Sequence, residues 1–285
     1  MSRIAYVNGR YVAHDQARVS IDDRAFHFAD GVYEVAAVLD GRLVDLDGHL
    51  DRLERSLREL RIAAPMARRP LTFVMREIVR RNRLRDGLVY LQISRGVARR
   101  DHAFPAQAGP SLVMTARPVN LAALEAKAGQ GVAVMTMPDI RWGRCDIKTV
   151  ALLPNVLAKQ AAREAGAYEA WLVDAQGHVT EGSSTNAWIV DAEGRVITRS
   201  LSNAILPGIT RASLMAAARA AGITIVERSF TVAEAKAARE AFITSATAFV
   251  TPVVRIDEAA IGNGAAGSVA LTLRALYLDH IRRSV

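Results

Sequence analysis

Short alternating apolar runs joined by tight turns, mixed with amphipathic helices in no repeating β–α–β rhythm, leave few architectures open to this chain. A doubly wound parallel sheet and an eight-stranded α/β barrel both need regular strand–helix alternation, so neither is supported. The chain opens with Ile4–Val7, the turn Asn8-Gly9 and Tyr11-Val12, a hairpin signature. A second strand pair is predicted at Val32–Leu39 and Arg42–Asp45, joined by Asp40-Gly41. Leu50, Leu53, Leu57 and Leu60 share one face of a helix predicted over Leu46–Arg61. A second helix is predicted over Pro70–Asn82, then strands over Val89–Gly96 and Ser111–Arg117.

Arg117-Pro118-Val119-Asn120 breaks the pattern and reads as a linker. At 285 residues the chain has the length of about two domains. The expected division is a smaller α+β domain over 1–117, a linker over 118–121 and a larger mixed domain over 122–285. The second half is predicted to carry strands at Val132–Met137, Glu169–Val173, Ala187–Val190, Val196–Thr198, Ile223–Val226, Ala241–Thr244 and Val250–Ile256. Its helices are predicted at Asn155–Ala165, Thr210–Ala221, Val232–Arg239 and Ser268–Arg283.

Composition removes several function classes. With 51% apolar and 23% charged residues, the chain is composed like a folded domain and unlike a disordered one. No run approaches the roughly 18 apolar residues that span a bilayer. MSRIAYVNGR lacks the apolar core of a secretory signal. One cysteine, Cys145, excludes an internal disulfide and a cysteine-rich metal site, and the expected location is the cytoplasm. The net charge of +8 raises nucleic acid as a partner. Yet the densest basic cluster, Arg80, Arg81, Arg83 and Arg85, lies opposite Val74, Ile78 and Leu84 without interleaved aromatics. It reads as a solvated helix face, and no nucleic acid is expected to bind.

Gly262-Asn263-Gly264-Ala265-Ala266-Gly267 fits G-x-G-x-x-G formally, but one helix follows it rather than a strand and a distant acidic residue. It is a turn into that helix. Gly182-Ser183-Ser184 is not a nucleophile elbow, and the six histidines show no zinc spacing.

Of the 37 basic residues only four are lysines: Lys127, Lys148, Lys159 and Lys236. Where arginine supplies nearly all the positive charge, a retained lysine marks a candidate position for amine chemistry, which a guanidinium cannot perform. Lys127, Lys159 and Lys236 lie in Ala- and Glu-rich helical contexts, whereas Lys148 follows a strand with Ile147 on the opposite side. Leu206-Pro207-Gly208-Ile209-Thr210 runs straight into a helix, either a phosphate site of free backbone N–H groups or ordinary capping. Arg52 is either an anion contact or part of a solvated helix face, and Glu181 either a functional carboxylate or a turn residue.

DIKTVALLPNVLAKQ, VTEGSSTNAWIV, LPGIT and FITSATAFVTP, in this order and spacing, resemble the class IV (fold-type IV) aminotransferases, which use pyridoxal 5′-phosphate. The resemblance runs from about Asn8 to about Leu276. It implies a two-domain α+β fold with a small N-terminal α/β domain and a larger C-terminal domain built on a pseudo-barrel sheet. It implies that Lys148 is the Schiff-base lysine and proton carrier, and that Glu181 pairs with the pyridine nitrogen. Arg52, Ile209 and Thr210 match the phosphate contacts, and Ala246 stands where the family often has threonine, leaving only a backbone N–H to donate.

Gly31-Val32-Tyr33-Glu34-Val35 and the loop Arg95–Pro105 resemble the D-amino acid aminotransferase branch. There Tyr33, Arg100 and His102 would trap the substrate carboxylate, the last two lent by the neighbouring subunit of a homodimer. The implied activity moves an amino group from a D-amino acid to a 2-oxo acid. A branched-chain L-amino acid aminotransferase and an aminodeoxychorismate lyase are the alternatives on the same scaffold.

Overall fold

The computed structural model describes residues 3–283. The chain divides into two compact units. One runs to Asn120 and takes in Ile147–Ala151; the other covers Leu121–Asp146 and the chain from Leu152 onward.

In the first unit, β1 (Ile4–Val7) and β2 (Arg10–Ala13) form the expected hairpin, with Val7 opposite Arg10. Asn8 and Gly9 both have positive φ, 45° and 93°, as a two-residue type I′ loop requires. The short α1 (Arg24–Phe28), unsignalled by periodicity, is capped by Asp23, whose side chain accepts from the Ala25 amide. β3 (Gly31–Leu39) and β4 (Arg42–Leu43) form the second hairpin. α2 (Leu46–Glu59), α3 (Arg68–Arg81), β5 (Gly87–Ser94) and β6 (Ser111–Pro118) complete the unit.

Among the described residues the strands form one sheet in the order β2-β1-β6-β5-β3-β4. Leu50, Leu53 and Leu57 of α2 and Met75 and Ile78 of α3 pack against Val89, Leu91, Ile93 and Met114 of this sheet. Each such side chain contributes about 1.5–3 kcal/mol on burial. Arg80 and Arg81 pair with Glu77 on the outer side of α3, the solvated face read from the sequence.

The second unit carries α4 (Leu121–Gln130), β7 (Val132–Pro138), α5 (Leu153–Glu164), β8 (Glu169–Val173), β9 (Val179–Gly182), β10 (Asn186–Val190) and β11 (Val196–Thr198). It continues with α6 (Ile209–Ala220), β12 (Ile225–Glu227), α7 (Val232–Ala237), β13 (Glu240–Ser245), β14 (Phe249–Ile256), β15 (Ala259–Ala260) and α8 (Ser268–Arg283). Its sheet runs β12-β11-β10-β13-β14-β7-β8-β9, with β15 added on β14. The pairs β7–β8, β14–β7 and β11–β12 are parallel. Parallel neighbours cannot be joined by a tight turn, and the chain places α5 between β7 and β8 and α6 between β11 and β12.

Val179–Gly182 is a strand and not the turn that its Thr-Glu-Gly-Ser-Ser sequence suggests. All four residues are buried, so the alternation that marks a one-sided strand is missing. The glycine-rich stretch before α8 is a turn, and the Val269 and Ala270 amides donate to Glu240 at 3.0 and 2.9 Å. Those N–H groups are already satisfied by a carboxylate.

Candidate active site

Lys148 is held by main-chain pairing to β3. β4 pairs with β3 only at Val38 and Leu39. Near the start of β3, Thr149 forms a bridge with Val32, the Tyr33 amide donates to the Lys148 carbonyl at 3.0 Å, and the Val150 amide donates to the Gly31 carbonyl at 3.0 Å. Ile147 points into the core of the first unit, at 3% exposure, so alternation turns Lys148 away from it. The half-buried Lys148 Nζ lies 4.3 Å from the centroid of the Tyr33 ring and has no hydrogen bond or ion pair among the described residues. The other three lysines are engaged elsewhere: Lys127 over Tyr168, Lys159 at the Tyr168 carbonyl, and Lys236 with Asp257 at 2.7 Å.

Arg52 is not on a solvated face. His49, Arg52 and Ser56 recur on α2 beside Leu50, Leu53 and Leu57, and all six are buried. Arg52 donates through Nε and Nη2 to Glu34 at 2.9 and 2.8 Å, and His49 Nδ1 lies 2.7 Å from the same carboxylate. Burial alone would raise the Glu34 carboxyl, but Arg52 and His49 together hold it down to about 2. A depressed carboxyl stabilises the fold above its unfolded value of 4.5 and loses that contribution as pH falls toward 2. Glu34→Gln should therefore cost most at neutral pH, by about 3–5 kcal/mol, because it removes the buried carboxylate that Arg52 and His49 share. The gap to wild type should narrow between about pH 4.5 and 2. Denaturant midpoints at several pH values measure this; a gap independent of pH would show that Glu34 carries no such linkage.

In the second unit Glu181 sits on β9 at 5% exposure. Arg141 Nη1 donates to its Oε1 at 2.5 Å, Asn186 Nδ2 to its Oε2 at 3.0 Å, and the Leu206 amide to both oxygens at 3.1 Å. Arg141 is in turn gripped by Asp139 through Nε at 2.9 Å and Nη2 at 2.7 Å. Asn186 also donates to the Leu206 carbonyl at 3.0 Å, which ties the carboxylate to the segment entering α6.

Gly208 is the N-cap of α6, and no side chain caps that end. A Cβ there would lie 2.0 Å from Asn186 Oδ1, so a side chain at this position would push Asn186 off its contacts with Glu181 and the Leu206 carbonyl. Ile209 and Thr210 then open the helix, with Thr210 buried at 3% exposure. This leaves first-turn N–H groups beside a buried hydroxyl, the geometry of an anion site. Ala246 is in the turn between β13 and β14, half-buried. Arg100 and His102 are exposed on the loop between β5 and β6, both against the Phe28 ring, at 5.1 and 5.3 Å.

Sequence reading passed over Glu34, Asp139, Arg141 and Asn186. A signal existed for two of them: Asp139 and Arg141 flank a single residue just past an apolar strand, a spacing that lets one side chain grip the other.

The class IV amino-transferase family model matches residues 31–256. The chain is 40% identical over 274 residues to a D-alanine aminotransferase of Bacillus licheniformis, covering 96% of this chain and 95% of that protein. It is 36% identical to a D-alanine aminotransferase of Staphylococcus aureus (strain N315), covering 97% of each. Among solved structures, a T.th. branched-chain amino acid aminotransferase with pyridoxamine 5′-phosphate superposes with a TM-score of 0.91 at 29% identity, over 99% of this chain and 95% of that one. The Escherichia coli branched-chain enzyme, at 24% identity and a TM-score of 0.90 over 99% and 95%, shares the fold. A family match spanning most of the chain, from the strand beside Lys148 to the end of β14, makes this chain a member of the class IV aminotransferases.

Proposed function

We propose that the chain is a pyridoxal 5′-phosphate-dependent D-amino acid transaminase, passing the amino group of a donor such as D-alanine to a 2-oxo acid such as 2-oxoglutarate. The observation that carries the cofactor assignment is the half-buried Lys148 amine, which lies 4.3 Å from the Tyr33 ring centroid and makes no hydrogen bond or ion pair among the described residues. An amine without a hydrogen-bond or ion-pair partner keeps its lone pair available to condense with a carbonyl carbon. The uncapped start of α6 fits a phosphate, and a buried carboxylate with three fixed donors fits a ring nitrogen that must stay protonated. When bound, the cofactor supplies an electrophilic carbonyl carbon and a ring that takes up the electron pair left by α-proton removal.

The chain's own residues do the rest. Lys148 Nζ would hold the cofactor and carry the α-proton, and Glu181 would keep the proton on the ring nitrogen. The Ile209 and Thr210 amides, the Thr210 hydroxyl and Arg52 bind phosphate, with Glu34 fixing the plane of the guanidinium. The Ala246 amide donates where a hydroxyl is absent. In this reading residues 122–285 form the cofactor-binding domain and 1–117 the N-terminal α+β domain; of the expected linker 118–121, Pro118 ends β6 and Leu121 begins α4, which leaves Val119 and Asn120 between them.

D-specificity rests on the similarity to D-alanine aminotransferases and on Tyr33, Arg100 and His102, a set of donors suited to one carboxylate. The working form is a homodimer in which Arg100 and His102 serve the neighbouring subunit. The exposed Leu153, Val156 and Leu157 on α5 supply apolar surface for such an interface. No helix among the described residues is long and apolar enough to cross a membrane. We place the enzyme in the cytoplasm on its single cysteine, Cys145. The close superposition on a branched-chain enzyme at 29% identity supports branched-chain L-amino acid transamination as the second reading.

A panel of D- and L-amino acids with 2-oxoglutarate separates the two. The proposal predicts preference for D-donors and overturns if L-leucine exceeds every D-substrate. Arg100→Ala removes a charge-assisted contact worth about 1.5–3 kcal/mol, and kcat/KM for D-alanine should fall by about 10- to 150-fold. A primary amine without a carboxylate should lose much less.

A further inference from the structure

A buried arginine underlies the exposed loop that carries Arg100 and His102. Arg24, the first residue of α1, is 3% exposed. Its Nε donates to Asp30 Oδ2 at 2.8 Å, and its Nη1 donates to the carbonyls of Asp101 at 2.6 Å and Ala103 at 3.3 Å. Its Nη2 donates to the His102 carbonyl at 3.4 Å. Three consecutive loop carbonyls thus converge on one guanidinium.

Asp30 is shared with Arg95, whose Nε and Nη2 reach it at 2.7 and 3.0 Å, and Arg95 also donates to the carbonyls of Leu60 and Arg61. Burial would raise the Asp30 carboxyl, but the hydrogen bonds from Arg95 and Arg24 outweigh it and hold it below the ordinary value. It remains a carboxylate that both arginines grip. Phe28 completes the arrangement: the Arg24 and Arg100 guanidinium carbons lie 4.7 and 5.1 Å from its ring centroid, and the His102 ring 5.3 Å away.

Resting on the reading that Arg100 and His102 hold the substrate carboxylate, we infer that Arg24 is a positioning residue for that carboxylate. It ties the backbone of Asp101–Ala103 beside Phe28, so that Arg100 and His102 present their donors together. An exposed loop that orders only when substrate arrives spends binding energy on ordering, and a preformed loop does not. Charge-assisted bonds to main-chain carbonyls are the strong kind, and they fix the loop without using the two side chains it displays. Lysine cannot replace the device. A single ammonium lacks the planar fork that reaches a carboxylate on one edge and carbonyls on the other.

The test compares the holoenzyme with Arg24→Lys and Arg24→Met. The KM for D-alanine should rise at least about fivefold in Arg24→Lys and further in Arg24→Met, with kcat and the KM for a carboxylate-free primary amine held within about twofold. Hydrogen exchange of amides in residues 97–104 should quicken at least about tenfold, with β5 and β6 unchanged. If Arg24→Met fails to fold, Arg24→Lys decides alone. Wild-type KM and exchange in the Arg24 variants, while Arg100→Ala still weakens D-alanine, would overturn the inference and leave the carboxylate reading standing. A KM rise shared by both donors, or faster exchange throughout β5 and β6, would mark Arg24 as merely structural and overturn it as well. An Arg100→Ala enzyme with normal D-alanine kinetics would instead overturn the carboxylate reading and the inference with it.

Discussion

Lys148→Ala should reduce transamination by at least about a thousandfold, roughly 4 kcal/mol at 1.36 kcal/mol per decade. The other three lysines cannot stand in for it. Lys127 and Lys159 are set against Tyr168, and Lys236 is paired with Asp257. The amine is also fixed from below by the main-chain bonds of the Lys148 carbonyl and the Val150 amide to β3. A mobile replacement group or an added amine would have to do without that fixed attachment. The loss therefore belongs to the side chain and should not be accompanied by unfolding, because the pairing with Gly31 and Tyr33 is main-chain and survives the substitution. Reduction of the wild-type holoenzyme with borohydride, followed by peptide mapping, should place the cofactor label on Lys148. A label on Lys127, Lys159 or Lys236 would remove the assignment outright.

The placement of that lysine also shows where sequence reading stops. The hairpins at Asn8-Gly9 and Asp40-Gly41 were legible because their positive-φ turn residues and flanking alternation are local properties. The leucine face of α2 was legible for the same reason. Ile147–Ala151 was not. Nothing in its composition says that five residues within the second unit's stretch of chain pack with the first unit. Their attachment is a strand-edge pairing to residues more than a hundred positions away, which no local period encodes.

Glu181 illustrates the complementary failure. Its four-residue strand is buried throughout, so it carries neither alternation nor a long apolar run, and Gly-Ser-Ser beyond it looks like a turn. Arg52 misled in the other direction. A charged residue on an amphipathic helix reads as solvent-facing, and the Glu34 carboxylate on the neighbouring strand helps make its burial tolerable. In each case the motif singled the residue out, whereas its physical setting depended on partners distant in sequence.

Glu181→Gln should leave cofactor bound and lower turnover by at least about a hundredfold, roughly 2.7 kcal/mol. If Glu181 pairs with the ring nitrogen as proposed, a neutral amide in its place would not keep that nitrogen protonated, and the electron pair released by α-proton removal would have a poorer acceptor. The local geometry sharpens the expectation, because this carboxylate receives donors on both oxygens: Arg141 on one, Asn186 on the other, and the Leu206 amide on both. Glutamine offers one oxygen and one NH2 group. Whichever way the amide is turned, its NH2 faces either the Arg141 guanidinium or the Asn186 amide, donor against donor. That mismatch should cost about 1–3 kcal/mol of stability on top of the catalytic loss.

Glu181→Asp separates the two effects. It keeps the charge and both acceptors but shortens the reach, so it should recover part of the turnover that Glu181→Gln loses. Thermal midpoints, retained cofactor absorbance and turnover, measured together on the two variants, distinguish the outcomes. If Glu181→Gln loses stability yet turns over near the wild-type rate, Glu181 is a clasp between β9 and the segment entering α6, and the ring nitrogen has no need of it.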